Sequence, residues 1–349
     1  MDPLKIGVVG AGGISQRNAR ESAASGVATL SGVYDVNPKA ARDMAKALSI
    51  PFFDSYEAML ADPATDAVLL STPHHLHCPM TIEAARHGKH VLVEKPIANN
   101  LQDARRMYEA CREAGVKLAV NYSFRYLGKI RKARQLIADG ALGEIVGIQI
   151  VNHQYKDPGY WTGARSNSPD NWRGSREKCG GGYLIMNVCH VIDYVYFLTG
   201  MRAERVYSEY ATLGSSVEVE DIVSVSFRMT NGAIGSICAS SIMRGTSQAE
   251  ERIWGTNGSL IIRPDGLSFY STRPIDDRRP GKLYDLNKLP DGNWTAEWVR
   301  GFVQAVREGT EPEVSFGEGW DNLAFIQTAY ESMERGVALP IPAFENAGR

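Results

Sequence analysis

The sequence has few cysteines, no C-x-x-C pair and no apolar run near the length of a membrane span. Its five cysteines, Cys78, Cys111, Cys179, Cys189 and Cys238, are an odd number spread over 349 residues. Such a set argues against a disulfide framework and a structural zinc site, and it fits a reducing cytoplasm. The start, MDPLKIGVVG, enters a strand at once and leaves no room for a signal peptide, so a cytoplasmic location is expected. Neither sign of charge is in excess: 38 Lys plus Arg against 40 Asp plus Glu gives −2. Nucleic acid and anionic membrane are therefore not expected as partners. Internal repeats, low-complexity tracts and long charge blocks are also missing.

What is present suits two globular domains. Hydrophobic residues make up 44% and charged residues 22% of the chain, enough for sizeable cores. Residues 5–120 alternate strand and helix. KIGVVG, ATLSGVYD (28–35), DAVLLST (66–72), KHVLVEK (89–95) and VKLAV (116–120) read as strands. Helices are expected over 14–25, 38–48, 77–87 and 101–114, with Pro38 at a helix start and Gly115 at a stop. Apolar strands alternating with helices imply a doubly wound parallel sheet covered on both faces. After about residue 143 the strands lengthen and interleave polar residues: EIVGIQIVNHQ, ERVYSEYAT, EDIVSVSFRM and GAIGSICASS, with a TNG hairpin signal at 230–232. This second regime reads as an open, mostly antiparallel sheet in an α+β domain. Helices are expected at 181–198, 294–308 and 318–335. The fold class is thus α/β plus α+β, with domains 1–122 and 123–349, the C-terminal helices being able to pack back on the first domain.

The first chemical signal is VVGAGGIS. Gly10 and Gly12 fill the first two glycine places of G-x-G-x-x-G, Gly13 and Ile14 follow, and Ser15 takes the third place. The first glycine permits a tight turn, and the second lets a pyrophosphate approach free N–H groups at a helix N-terminus. Asp35 ends the second strand, where a carboxylate accepts bonds from ribose hydroxyls and repels a 2′-phosphate. NAD is therefore favoured over NADP, while nearby Lys39 and Arg42 keep NADP open. The second signal is STPHHLH followed by GKHVLVEKPIA. Thr72 and Pro73, then Glu94 and Lys95, end adjacent strands on the edge where ligands of such sheets bind. Lys95 alone reads as a surface lysine as readily as a catalytic one. His74, His75 and His77 lack a further ligand at helical spacing, so no metal is expected.

CGGGYLIMNVCHVID (179–193) holds one histidine, His190, in an apolar run. By itself it reads as core, with His190 packed rather than acting on protons. At about 100° per residue, Asn187, His190, Asp193 and Tyr194 share a stripe of about 120°, with Met186 about 40° from His190. A buried polar stripe needs partners, and a ligand cleft supplies them. NYSFRY (121–126) offers Asn121, Tyr122 and Arg125 at the ligand edge. The long irregular stretch 159–182 offers Tyr160, Trp161, Trp172 and Arg173 for stacking on a sugar.

GAGGIS with Asp35, STPHHLH, GKHVLVEKPIA and GGGYLIMNVCHVID, in that order, resemble the Gfo/Idh/MocA family of oxidoreductases over nearly the whole chain. The resemblance implies a Rossmann domain and a sheet that commonly forms the oligomer contact, hence a homodimer or homotetramer. It also implies hydride transfer between a carbohydrate or polyol carbinol and NAD or NADP. The family's E-K-P lysine falls on Lys95, its histidine on His190, and its last aspartate on Asp193. His77 matches a histidine often near the nicotinamide. Met186 stands where sugar dehydrogenases of the family carry an aspartate, and Val188 replaces the following glycine. Lys95 and His190 are then the expected catalytic pair. Gly10, Gly12, Gly13, Ile14, Asp35, Thr72, Pro73, His77, Glu94 and Lys95 are expected on the cofactor. Asn121, Tyr122, Arg125, Trp172, Arg173, Asn187 and Asp193 are expected on the substrate. The leading function is an NAD(P)-dependent dehydrogenase of a sugar, cyclitol or glycoside. The alternatives are an NAD-dependent redox-assisted glycosidase and a non-catalytic sugar- or dinucleotide-sensing protein.

Overall fold

The structure, a computed structural model, describes residues 2–162, 171–287 and 289–344. Two compact units emerge. The first comprises 1–123, 158–180 and 293–323; the second comprises 124–157, 181–292 and 324–349. The expected cut after residue 122 does not include 158–180 in the first unit; 293–323, which also groups there, belongs to the C-terminal helices expected to be able to pack back on it.

The first unit begins β1 (Leu4–Val9), α1 (Gly13–Ala23), β2 (Ala28–Tyr34), α2 (Pro38–Leu48), α3 (Tyr56–Ala61), β3 (Ala67–Leu70) and α4 (His74–Arg86). It continues with β4 (His90–Val93), α5 (Leu101–Ala114) and β5 (Leu118–Val120). The five strands pair in parallel in the order β2-β1-β3-β4-β5. β3 is buried at every position and β4 at all but His90, as expected for strands covered on both faces. Capping sets the helix ends. Asn37 accepts N–H bonds from Lys39 and Ala40 ahead of Pro38 in the first turn of α2, and Asn100 caps α5, which Gly115 closes at φ 68°. α4 starts three residues earlier than the expected 77, directly after Pro73.

In chain order there follow α6 (Gly128–Ala138), β6 (Ile145–His153), and the short helices α7 (Pro158–Trp161) and α8 (Arg176–Cys179), the last two in the first unit. Then come α9 (Cys189–Thr199), β7 (Ala203–Ala211), β8 (Ile222–Met229), β9 (Ile234–Ser240), β10 (Gln248–Gly255), β11 (Gly258–Arg263), β12 (Gly266–Ser271) and β13 (Lys282–Asn287). The chain closes with α10 (Trp294–Glu308), α11 (Phe316–Arg335) and β14 (Leu339–Pro340). The second unit's sheet runs β13-β12-β11-β10-β6-β9-β8-β7-β14. Every pairing is antiparallel except β6 with β9. The TNG signal does join β8 to β9. The strands β10 to β13 are not among those expected; of them, QAEERIWG and KLYDLN are too polar to alternate cleanly.

The expected continuous α-helix over 181–198 is corrected. Residues Leu184–Val188 form a π-helical turn, and the α-helix starts only at Cys189. An i→i+5 turn advances fewer degrees per residue, so the stripe holds within α9 but does not fix Met186 and Asn187 relative to it.

α9 is buried on every side from Val191 to Leu198. Its Tyr194 hydroxyl bonds to Glu251 of β10. Glu251 is buried, and that burial pushes its carboxyl up to about 7, against the opposing pull of Tyr194 and Lys129. From the unfolded value of 4.5 to about 7, the folded chain keeps a proton that the unfolded chain has released. Stability therefore falls as pH rises through that window. Glu251→Gln is expected to stabilise the protein by roughly 3 kcal/mol at pH 8 and by little at pH 4. Equal gains in urea denaturation at both pH values would show that Glu251 does not titrate this way.

Candidate functional site

The glycine-rich turn sits at the carboxyl edge of the parallel sheet. Gly10 has φ 97°, and a Cβ there would lie 2.7 Å from the Ser71 carbonyl oxygen. Only glycine fits this position. Ser15, in the third glycine place, is fully buried and donates its hydroxyl to the Gly10 carbonyl at 2.5 Å. It therefore closes the turn rather than disturbing it. Gly12 caps α1 without a side-chain bond, and the first turn carries no acidic residue. A Cβ on Gly12 or Gly13 would meet nothing within 4 Å, and Ile14 is 49% exposed. The helix N-terminus thus faces open room with its N–H groups free of side-chain acceptors, which suits a phosphate.

Asp35 is half-buried. Its carboxylate accepts the Ala11 and Asn37 N–H groups, both at 2.7 Å. A carboxylate has about four lone-pair sites, so capacity for two ribose hydroxyls is left. Lys39 pairs with Asp43 at 2.6 Å, and Arg42 stacks on Phe52 at 5.2 Å. Both cations are thereby occupied close to their own helix. Beyond β3, Ser71 Oγ and Thr72 Oγ1 are buried with no hydrogen-bond partner among the described residues. Buried orphans of this kind are rare without a ligand or water. Together with the open turn, they fit a dinucleotide.

Glu94 and His77, both expected on the cofactor, make contacts that hold this edge together. The Glu94 carboxylate is buried and accepts from Asn18 Nδ2 at 2.5 Å, Asn121 Nδ2 at 2.7 Å and the Lys95 N–H at 3.3 Å. It ties α1, the end of β4 and the residue after β5 to one another. Asn121 Oδ1 is left buried with no partner among the described residues. His77 has no exposure, and its two ring nitrogens face the Pro96 and Thr72 carbonyls, each at 3.0 Å. Burial lowers its pKa to about 4, so near pH 7 it is neutral and its single N–H donates to one of these two carbonyls. Pro73 is the N-cap of α4, and Lys95 is half-buried.

The short helix α8 packs on α4. His74 contacts the Cys179 carbonyl at 2.8 Å and meets Trp172 edge-on at 4.7 Å. Burial holds its pKa well below the ordinary histidine value. Trp172 is 7% exposed, so it offers a sugar little surface. The Arg173 guanidinium lies over both Trp172 and Tyr160, at 4.5 and 5.3 Å. Trp161 is buried. Of the expected aromatic stretch, 163–170 lies outside the described residues.

In the second unit the glycine run has a folding reason. A Cβ on Gly181 would fall 2.3 Å from the Tyr330 hydroxyl, and one on Gly182 would fall 1.9 Å from the Glu220 carbonyl oxygen. The buried Glu220 carboxylate accepts the Gly182 and Leu184 N–H groups at 2.6 and 2.9 Å and the Tyr330 hydroxyl at 2.9 Å. Burial raises its pKa. Nothing in the sequence flagged Glu220, which lies 38 residues beyond Gly182.

Across residues 183–198 every side chain is buried except Asn187 and His190. Met186 is 3% exposed. Phe124 lies flat on the His190 ring, with centroids 4.3 Å apart and planes 16° from parallel. Arg125 and Asp193, both expected on substrate, are turned to each other. They form a buried bidentate ion pair at 2.8 and 2.6 Å. Tyr122 is fully buried. Phe124 stands inside the NYSFRY stretch, where an aromatic residue in a 3₁₀ turn gives no local signal of its distant partner His190.

Comparison with known proteins agrees in both halves. A sequence model of an oxidoreductase family with an NAD-binding Rossmann fold matches residues 4–122, and the GFO/IDH/MocA C-terminal domain matches 130–261. A 1,5-anhydro-D-fructose reductase of Ensifer adhaerens is 33% identical over 77% of this chain and 78% of its own. A levoglucosan dehydrogenase of Pseudarthrobacter phenanthrenivorans is 25% identical over 98% and 99%. The WlbA dehydrogenase of Bordetella pertussis, solved with NADH and UDP-GlcNAcA, superposes with a TM-score of 0.88 at 28% identity, over 98% and 99% of the two chains.

Two glycine substitutions should separate folding from cofactor binding. Gly182→Ala drives a Cβ into the Glu220 backbone and is expected to cost about 3 kcal/mol or more in denaturant unfolding. Gly12→Ala meets no atom and is expected to cost about 1 kcal/mol or less, yet to weaken NAD binding at least tenfold by calorimetry. Unchanged NAD affinity in Gly12→Ala would remove this turn from the cofactor site.

Proposed function

The chain belongs to the Gfo/Idh/MocA oxidoreductase family, and from that premise we propose that it oxidises a secondary hydroxyl of a sugar, cyclitol or glycoside with NAD. One observation carries the assignment of roles. The helical segment 183–198 is buried except at Asn187 and His190, so these two groups are what it presents. When bound, NAD supplies the hydride acceptor. The chain must take the hydroxyl proton and hold the carbon in place. His190 is the base, having an intrinsic pKa suited to neutral pH. Lys95 polarises the hydroxyl oxygen. Asn187 bonds to a substrate hydroxyl, since an amide can donate and accept but not take a proton. Arg125 and Asp193 serve by fixing the helix. Asp35 favours NAD over NADP. Asn121 Oδ1 and Thr72 Oγ1 await polar partners from the bound ligands.

The reading also includes self-association through the second unit's sheet, as a homodimer or homotetramer. The outward face carries the row Trp254, Gly147 and Ile234 across β10, β6 and β9, with Trp254 and Ile234 exposed. Cys238 is exposed beside Val151 on the same face. Ile234→Asp is expected to lower the mass in sedimentation equilibrium to that of one chain. A wild-type protein already sedimenting as one chain would defeat this part.

The activity test is a panel of levoglucosan, myo-inositol and free sugars with NAD and NADP, followed by nicotinamide absorbance. 1,5-Anhydro-D-fructose is added with NADH for the reverse direction. His190→Asn and Lys95→Met are each expected to lower kcat a hundredfold or more, with NAD affinity within about threefold of wild type. Near-normal turnover by both variants would refute the roles. Product formed without net redox change would point to a redox-assisted glycosidase. Tight NAD binding with no turnover would point to a sensing protein.

A further inference from the structure

We propose that Phe124 is a positioning residue for His190, setting both the orientation of the imidazole and the ease with which it takes a proton. The proposal rests on His190 being the base. Its own support is geometric. The single 3₁₀ turn Ser123–Tyr126 presents Phe124 to His190 and Arg125 to Asp193. Asp193 and His190 are three residues apart on α9, hence on one face. Arg125 is held at two levels of that helix: it forms the buried ion pair with Asp193, and its guanidinium lies 5.2 Å from the centre of the Phe197 ring. A residue anchored this firmly leaves its neighbour little freedom. Phe124 is therefore delivered flat onto the His190 ring rather than resting there by chance.

Two consequences follow from the stack. A ring covered on one face at 4.3 Å and 16° cannot swing about its Cβ–Cγ bond without losing that contact, so the direction of its nitrogens is fixed before substrate arrives. The face of an aromatic ring also attracts a cation. Phe124 thus favours the imidazolium that forms when His190 takes the hydroxyl proton, while it adds no proton-accepting group of its own. Arg125 bonds both carboxylate oxygens of Asp193, and that pair sets the turn which carries Phe124.

The test uses the full chain labelled with ¹³C and ¹⁵N in histidine, with the His190 ring signals assigned by their loss in His190→Asn. Phe124→Leu is expected to lower the His190 titration midpoint by about half a pH unit and to abolish the ring-current shift of its Cε1 proton. In the dehydrogenase assay kcat should fall about tenfold, with the KM for NAD unchanged. Phe124→Tyr should restore both. Phe124→Trp, a stronger cation-binding face, should move the midpoint upward. A midpoint unmoved in Phe124→Leu, or in Phe124→Trp should the leucine variant not fold, overturns the proposal. So does a tyrosine variant that behaves like leucine. The broader reading fails separately: an active His190→Asn removes His190 as the base, whatever the titration shows.

Discussion

The helical segment that carries His190, the π turn followed by α9, depends on a carboxylate placed at its start. Glu220 takes the N–H groups of Gly182 and Leu184, two of the four donors that a helix leaves without partners at its N-terminus. A negative charge there is favoured by the helix dipole, which offsets part of the cost of burying it. The approach is so close that residue 182 has no room for a Cβ. Further along, the Arg125–Asp193 pair holds the same helix in rotation. Removing one partner of a buried pair costs about 3–5 kcal/mol because it strands the other charge. Start and rotation of the helix are thus fixed by two charged contacts, each hydrogen-bonded on both oxygens. His190 and Asn187 then reach the surface of an otherwise buried segment as a consequence.

The same residue type does unlike work in the two glycine clusters. Gly10 is required by a left-handed φ and by the Ser71 carbonyl, which bring the chain back under the turn. Among the described residues a Cβ on Gly12 or Gly13 meets nothing, so their missing side chains leave open space there. Gly181 and Gly182 are filled by Tyr330 and Glu220. Open glycines beside an uncapped helix fit a ligand, whereas occupied glycines fit packing. Composition alone cannot separate these cases, because the neighbours that decide them come from distant parts of the chain.

That distinction also explains what was legible in the sequence. The parallel sheet could be read because β3 and β4 are unbroken apolar runs and because Pro38, Asn100 and Gly115 mark helix ends locally. The dinucleotide turn could be read because strand, glycines and Asp35 keep fixed spacing. The second sheet was only half visible, since strands such as Lys282–Asn287 are exposed along much of their length and carry no hydrophobic alternation. Pairings between residues far apart in sequence left no mark at all. Glu94 with Asn18 and Asn121, Arg125 with Asp193 and Glu220 with Leu184 each took a residue that looked available for a ligand, or one that looked unremarkable, and used it to hold the fold.

The π-helical turn changes the meaning of Met186. Read on a regular α-helix, Met186 would share a stripe with His190, and its thioether would stand where the family's sugar dehydrogenases have a carboxylate. The wider turn over 184–188 breaks that wheel, and such turns are frequent at functional sites. Met186 is buried, while Asn187 and His190 are the partly exposed residues of 183–198. On the proposed reading, the polar group that meets substrate in this turn is therefore an amide and not a thioether. An amide can orient a hydroxyl but cannot share its proton, so the acid–base work narrows to His190, with Lys95 acting on the oxygen. Phe124, laid flat on the imidazole, adds cation stabilisation to that base.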